Sequence, residues 1–328
     1  MNSRWYYNQP VSFRRATFIT ALVTSAVLMF PPRAHAGDAP AWMHAVVSAP
    51  LPEHDDKTDA VLLYSDTVVN VQSDTKVSTT IRRAYKILRP DGRDFGLLVI
   101  PFGSHTKISN LHGWCIPAQG KDYEVKDKNG AEVSLPKIDG AELISDVRAK
   151  LLQIPASDPG NIVGYEYDEE DQPYALQDIW HFQQSVPVRE AHFTLQLPPG
   201  WEYKATFLNA PEVKPAQSGN QWSWSVNDVK AQKPEDDMPP WSGVVGQMFV
   251  SYFPAGGAVP GKTFAGWRQM GTWYAELTRG RTEPSPEIKQ KVSALTAAAP
   301  TPLDKMREIA RFAQRDIRLL VPDHLVIR

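Results

Sequence analysis

The sequence predicts a mainly β protein, an antiparallel β-sandwich followed by a short C-terminal helical segment. Three observations carry this. From Val61 onward, ten or more short runs rich in β-branched and aromatic residues are separated by Gly, Pro and Asn. The 28 prolines and 10 tryptophans favour short strands and loops over a helical bundle. After residue 262 the pattern turns to the spacing of amphipathic helices, and strands followed by helices without alternation predict a β domain and then a separate helical start.

At 328 residues the chain has room for roughly two domains of about 100–200 residues. It is 42% hydrophobic and 22% charged, enough to build an ordinary core. A net charge of -2, with no long run of either sign, lacks the basic footprint of non-specific nucleic-acid binding. Nucleic acid is therefore not an expected partner.

Residues 1–36 read as a signal peptide. Arg14 and Arg15 form a positive start, Ala16 to Phe30 carries no charge, and Ala34-His35-Ala36 is a small-residue cleavage site. The uncharged run is 15 residues, short of the ~20 needed to span a bilayer as a helix. Cleavage is expected after Ala36, giving a periplasmic or secreted chain with no transmembrane helix. Only Cys115 is present, so no internal disulfide can form in that oxidising setting. It lies in an apolar, strand-like run with no basic neighbour to lower its pKa, which favours a buried core residue over a nucleophile.

Residues 37–60, rich in Pro, Ala and Asp, read as a loose opening segment, with Trp42, Val46 and Val47 pinning one helical turn. The β-sandwich is assigned to residues 61–262. Val61–Gln72 and Val77–Leu88 read as a long hairpin, whose second strand places Val77, Thr79, Ile81, Arg83, Tyr85 and Ile87 on one face. Pro90-Asp91-Gly92 turns the chain, and Leu97–Phe102 is a short strand. Lys107–Ile116 and Asp122–Lys126 form a second hairpin, while Glu142–Ile154 fits strand or helix. Further strands are read at 161–167, 179–186, 192–197, 203–208, 221–226 and 248–253. A Gly/Pro-rich link at Pro254–Lys262 ends the sandwich.

Residues 263–328 read as a helical segment. Thr263–Gly280 sets Phe264, Trp267, Tyr274 and Leu277 on one face, and Ser285-Pro286-Glu287 opens a second helix with Ile288, Val292 and Leu295 inward. Thr301 caps the third, with Pro302 in its first turn and Asp304 placed as in a capping box. Met306, Ile309, Ala310, Ala313 and Ile317 share its apolar face.

These motifs occur in a known order. Gly160-Asn161-Ile162-Val163-Gly164-Tyr165-Glu166-Tyr167 precedes Trp180-His181-Phe182, Pro187-Val188 and Leu197-Pro198-Pro199-Gly200. Trp273-Tyr274-Ala275-Glu276-Leu277, Lys291–Thr296 and Arg311–Arg318 follow. From about Val61 to Arg318 the chain resembles the uncharacterised β-rich domain that precedes a transglutaminase-like core in exported bacterial proteins. The resemblance implies a β-sandwich and then the opening helices of a papain-like domain. In that family a catalytic cysteine in a Gly-Asp-Cys motif, then His and Asp, lie beyond the helix matching Thr301–Arg318. No residue here matches them, Leu319 replaces the usual aromatic, and Val321–Arg328 departs from the pattern. On this reading the chain is a member truncated before its active site.

No catalytic, cofactor-binding or metal-ligating residue is assigned, and no cofactor is expected. Glu166, Asp168, Glu169, Glu170 and Asp171 lack calcium-loop spacing and read as a solvated hairpin tip after Tyr167. His105, His112, His181 and His192 lack chelating spacing. Trp180, Trp201, Trp222, Trp224 and Trp241 read as core before stacking platform, and Asp228–Trp241 as an exposed loop. The expected function is an exported, non-catalytic binding or scaffolding protein with a cell-envelope protein or glycan as partner. The alternatives are a fragment of a cysteine-dependent transglutaminase-like enzyme or peptidase, and an envelope carbohydrate-binding module.

Overall fold

The computed structural model describes residues 35–134, 147–256, 259, 262–264 and 266–317. Residues 1–34 of the expected signal peptide, Glu142–Asp146 and the residues from Arg318 onward lie outside that set. The chain divides into two compact units, a β unit up to Thr263 and a helical unit from Phe264.

In chain order the strands are β1 (His35–Ala36), β2 (Ala60–Ser73), β3 (Lys76–Ile87), β4 (Leu97–Phe102), β5 (Thr106–Ile116), β6 (Tyr123–Lys126), β7 (Ala131–Ser134), β8 (Arg148–Gln153), β9 (Ile162–Asp171), β10 (Gln177–His181), β11 (Val188–Gln196), β12 (Trp201–Leu208), β13 (Ala216–Ser218), β14 (Gln221–Val229) and β15 (Gln247–Pro254). The helices are α1 (Ala41–His44), α2 (Trp267–Leu277), α3 (Pro286–Thr296) and α4 (Pro302–Arg315).

Nine strands form one sheet in the order β1-β6-β5-β9-β3-β2-β11-β14-β13. Two three-stranded sheets, β4-β8-β7 and β10-β15-β12, complete the β unit. The expected mainly β, antiparallel architecture is what the strands build, with one exception: β2 and β11 run parallel, Leu62 opposite Val188 and Asn70 opposite Gln196.

One core joins all three sheets. Ile81, Val163, Phe193 and Trp224 of the large sheet pack with Ile100 and Leu152 of one small sheet and Trp180, Val250 and Tyr252 of the other. Each such aliphatic or aromatic side chain removed from water contributes about 1.5–3 kcal/mol. The β3 face read from the sequence is the face that meets this core: Val77, Thr79, Ile81, Tyr85 and Ile87 are all buried.

The first part of the opening segment is packed onto the sheet, while residues 47–57 are mostly irregular and exposed. Met43 of α1 is completely buried and packs with Ala39 and Val46 against Val61, Leu63, Ala84, Trp114 and Ile162 on the other face of the large sheet. Trp42 meets Trp114 edge-on, ring centroids 6.3 Å apart, and Ala39 N–H donates to the Asp122 carboxylate at 2.9 Å. Val47, expected to pin the turn, is 46% exposed, and Met43 does that work.

In the helical unit, Ser285 accepts from Ile288 N–H and Thr301 from Asp304 N–H, so both predicted caps form. No residue of α2, α3 or α4 is buried, and Trp267 is 86% exposed. Lys291 of α3 sits 4.5 Å over the ring of Phe312 in α4, while Leu303, Met306 and Ile309 face solvent. Among the described residues no helix is long and apolar enough to cross a membrane.

Candidate functional site

The sites weighed from the sequence resolve differently. Cys115 is fully buried in β5, its thiol 3.3 Å from the Ala156 carbonyl. Burial, then the nearby charges of Asp122 and Asp158, push its pKa up to about 12, so a thiolate nucleophile is absent there at neutral pH. Glu166 to Asp171 do not form a hairpin tip: they are the second half of β9, paired on both sides by β3 and β5. Each of four carboxylates has its own partner. Arg82 binds Glu166, Thr80 and Asn110 bind Asp168, Lys76 binds Glu170, and Thr106 binds Asp171. By the alternation of a strand, Glu166, Asp168 and Glu170 share one face, each held by its own partner, and Asp171 lies on the other. No group of three or more metal-binding side chains gathers among the described residues.

Trp180, Trp224 and Trp241 are buried, and Trp201 and Trp222 pack against the same core. None of the five forms an exposed stacking platform. Asp228 and Val229 belong to β14, and the loop after them is tied to the opening segment by Lys230–Glu53 and Lys233–Asp55 pairs. His105 lies edge-on to Tyr174, and His112 stacks on Trp114 and binds Glu124.

On the α1-covered side of the large sheet the register lines up one polar row. Ser225, His192, Asp66, Arg82, Glu166 and His112 stand opposite one another across β14, β11, β2, β3, β9 and β5. His192 Nδ1 lies 2.8 Å from Ser225 Oγ and Nε2 lies 2.6 Å from Glu190. The His192 ring thus bridges a serine hydroxyl and a carboxylate on the sheet face. Burial raises the pKa of Asp66, and Arg82 pulls it back. The predicted hairpin, with Gln72 opposite Val77, sets Asp66 opposite Arg83; the irregularity between Val71 and Ser73 shifts the register by one residue and brings Arg82 to Asp66.

A polar cavity lies on the other face. A cavity of about 120 Å³ is floored by Ser65 and Thr67 of β2, Thr79, Ile81 and Arg83 of β3, and Tyr167 and Glu169 of β9. Its sides are Val99, Ile100 and Pro101 of β4 and Asp178 to His181 of β10, one strand from each small sheet. Burial works against the charge of Arg83, but Tyr165, Tyr85 and Tyr167 hold it protonated and raise its pKa. His181 is neutral: burial and the Arg83 charge push it down to about 4, with Gln247 acting in the opposite sense. His181 Nδ1 is buried without a hydrogen-bond partner. Sequence reasoning missed this site, although its signal was present in Arg83, the charged residue on a mostly apolar strand face.

Comparison with known proteins bears on the β unit. Residues 73–233 match the family model of DUF3857, a domain of unknown function for which a structure has been solved. Comparison with curated proteins gives no match. Among solved structures, the fold is similar to that of a putative protease from Parabacteroides distasonis, with a TM-score of 0.61 and 12% identity over 79% of this chain and 51% of that one. The chain thus spans about half the length of the protein it matches. At that identity the likeness establishes the fold alone. Leukotriene A4 hydrolase from Saccharomyces cerevisiae (TM-score 0.32, 11% identity, 65% of this chain and 33% of that one) is too distant to carry an argument. The same holds for a two-domain M1 zinc metallopeptidase bound to L-tryptophan (TM-score 0.32, 9% identity, 75% and 54%).

Proposed function

We propose that the β unit is a non-catalytic binding or scaffolding module acting outside the cytoplasm, after removal of residues 1–36, on a partner of the cell envelope. The observation that carries this reading is the cavity between β4 and β10. Its polar floor lies in a β-sandwich whose single thiol is sealed in the core. Ligand sites are concave and bring a few polar groups to bear on one space, and here Arg83, Glu169, Asp178 and His181 do so. The signal-peptide pattern supports export. The purified chain is assayed for amine incorporation and peptide hydrolysis; turnover that disappears in Cys115→Ala would overturn the reading.

A second reading is favoured by the helical unit. Its caps are formed but its apolar faces are unburied, and the fold is similar to that of a longer putative protease. On this reading the chain is part of a cysteine-dependent transglutaminase-like enzyme or peptidase, and the β unit presents substrate to it. Sequencing genomic DNA downstream of the Arg328 codon for a Gly-Asp-Cys segment, in any frame, separates the two readings.

A further inference from the structure

The two strands that wall the cavity are both sheet edges. β4 ends the order β4-β8-β7 and β10 ends the order β10-β15-β12. Ile154 N–H donates to Gly96 C=O at 2.7 Å. By the alternation of an antiparallel ladder, Leu98, Ile100 and Phe102 then bond to β8, and the backbone groups of Val99 point the other way. Tyr252 N–H donates to Leu176 C=O at 3.1 Å, so Asp178 and Trp180 bond to β15 and the backbone of Ile179 points away from it. Val99 and Ile179 both line the cavity. Pro101 fits this geometry, because a proline in a strand belongs on an edge where no N–H is required.

We propose that the slot between β4 and β10 accepts an extended peptide segment of a partner protein, which adds as a strand and joins the two three-stranded sheets into one. This deepens the binding-module reading and rests on it. Main-chain hydrogen bonds from Val99 and Ile179 supply the affinity, and alternate peptide side chains supply the selectivity. Those pointing inward meet Ser65, Thr67, Thr79 and Glu169, so they are small and polar, with one group able to bond His181 Nδ1. Sheet edges left open along a cavity are otherwise a liability that folded proteins cover or block.

The test follows amide exchange in the full chain by NMR. Capped hexapeptides alternating Val with Thr, Asp or Lys are added to millimolar concentration, each beside a copy N-methylated at alternate residues. The expected result is that at least one peptide slows exchange at Val99 and Ile179 about tenfold or more, its N-methylated copy does not, and Ile179→Pro abolishes the effect. Ile179→Pro leaves the fold intact because that N–H makes no ladder bond. Protection of both amides in the free chain, or none with any of the three peptides, overturns the proposal. Protection that rises with protein concentration alone assigns the slot to a second copy and also overturns it. Peptide or glycan binding that leaves Val99 and Ile179 unprotected sinks strand addition while the binding-module reading stands. Turnover of a peptide substrate sinks that reading instead.

Discussion

The side chain of Met43 lies directly against Gly164, so that a Cβ built on Gly164 would stand 2.8 Å from both the sulfur and the terminal methyl. The same Cβ would stand 2.8 Å from the Arg83 carbonyl of the neighbouring strand. The opening segment is therefore fitted to the middle of the large sheet at a position where only glycine leaves room. Gly164→Ala should lower stability by about 1–3 kcal/mol through overpacking, and Met43→Ala by about 2–5 kcal/mol through the cavity it leaves. Urea unfolding followed by tryptophan fluorescence measures both; an unchanged midpoint for Met43→Ala would show that α1 is not part of the cooperative unit.

Cys115 should resist thiol reagents at pH 8 in the native chain and react fully in denaturant. Its folded pKa, raised by burial to about 12 from an ordinary 9.0, has a consequence for stability. Below the unfolded value both states hold the proton and the contribution is complete. As pH climbs from 9.0 towards 12 the unfolded chain loses its proton first, so stability falls across that window. Cys115→Ala should remove this alkaline slope, which pH-dependent unfolding midpoints report.

His181 predicts the opposite edge. Its pKa is depressed from 6.5 to about 4 by burial and by Arg83, so the unfolded chain takes up a proton that the folded chain refuses. Its contribution is present above 6.5 and is lost as pH falls towards 4. Ring-proton NMR should find one histidine still neutral at pH 5, and His181→Phe should flatten the acid limb of the stability curve. A His181 ring that titrates near 6.5 contradicts its burial.

The helical unit should open more readily than the strands, since none of its helices buries a residue. Amides of α2 to α4 are expected to exchange faster than those of β2, β3 and β9. Thr301→Ala removes the cap on α4, worth about 1 kcal/mol, and should speed exchange in its first turns about fivefold. Equal protection in α4 and β3 would refute the first expectation.

Much of this architecture was legible in local pattern. The alternation from Val77 to Ile87 gave the buried face of β3, and Thr301 with Asp304 gave the start of α4, because both signals are complete within a few residues. Glu166 to Asp171 misled because the partners that make such a run tolerable in a strand, Arg82, Lys76, Thr80 and Asn110, lie on neighbouring strands. Met43 does not stand out in the sequence beside Trp42, Val46 and Val47 because one turn of helix has too few residues to fix its apolar face. The cavity was invisible for a related reason: its walls come from β4 and β10, whose positions over the large sheet no local spacing encodes.

The parallel pairing of β2 with β11 is the single seam that joins six strands of the large sheet to the other three. Hairpins such as β2–β3 and β5–β6 can close soon after their residues emerge, but this seam waits for residues 188–196. Until then β2 carries an open, β-branched margin. Closing this seam is a long-range event, and substitutions along Leu62–Asn70 should slow refolding followed by stopped-flow tryptophan fluorescence out of proportion to their effect on the finished protein.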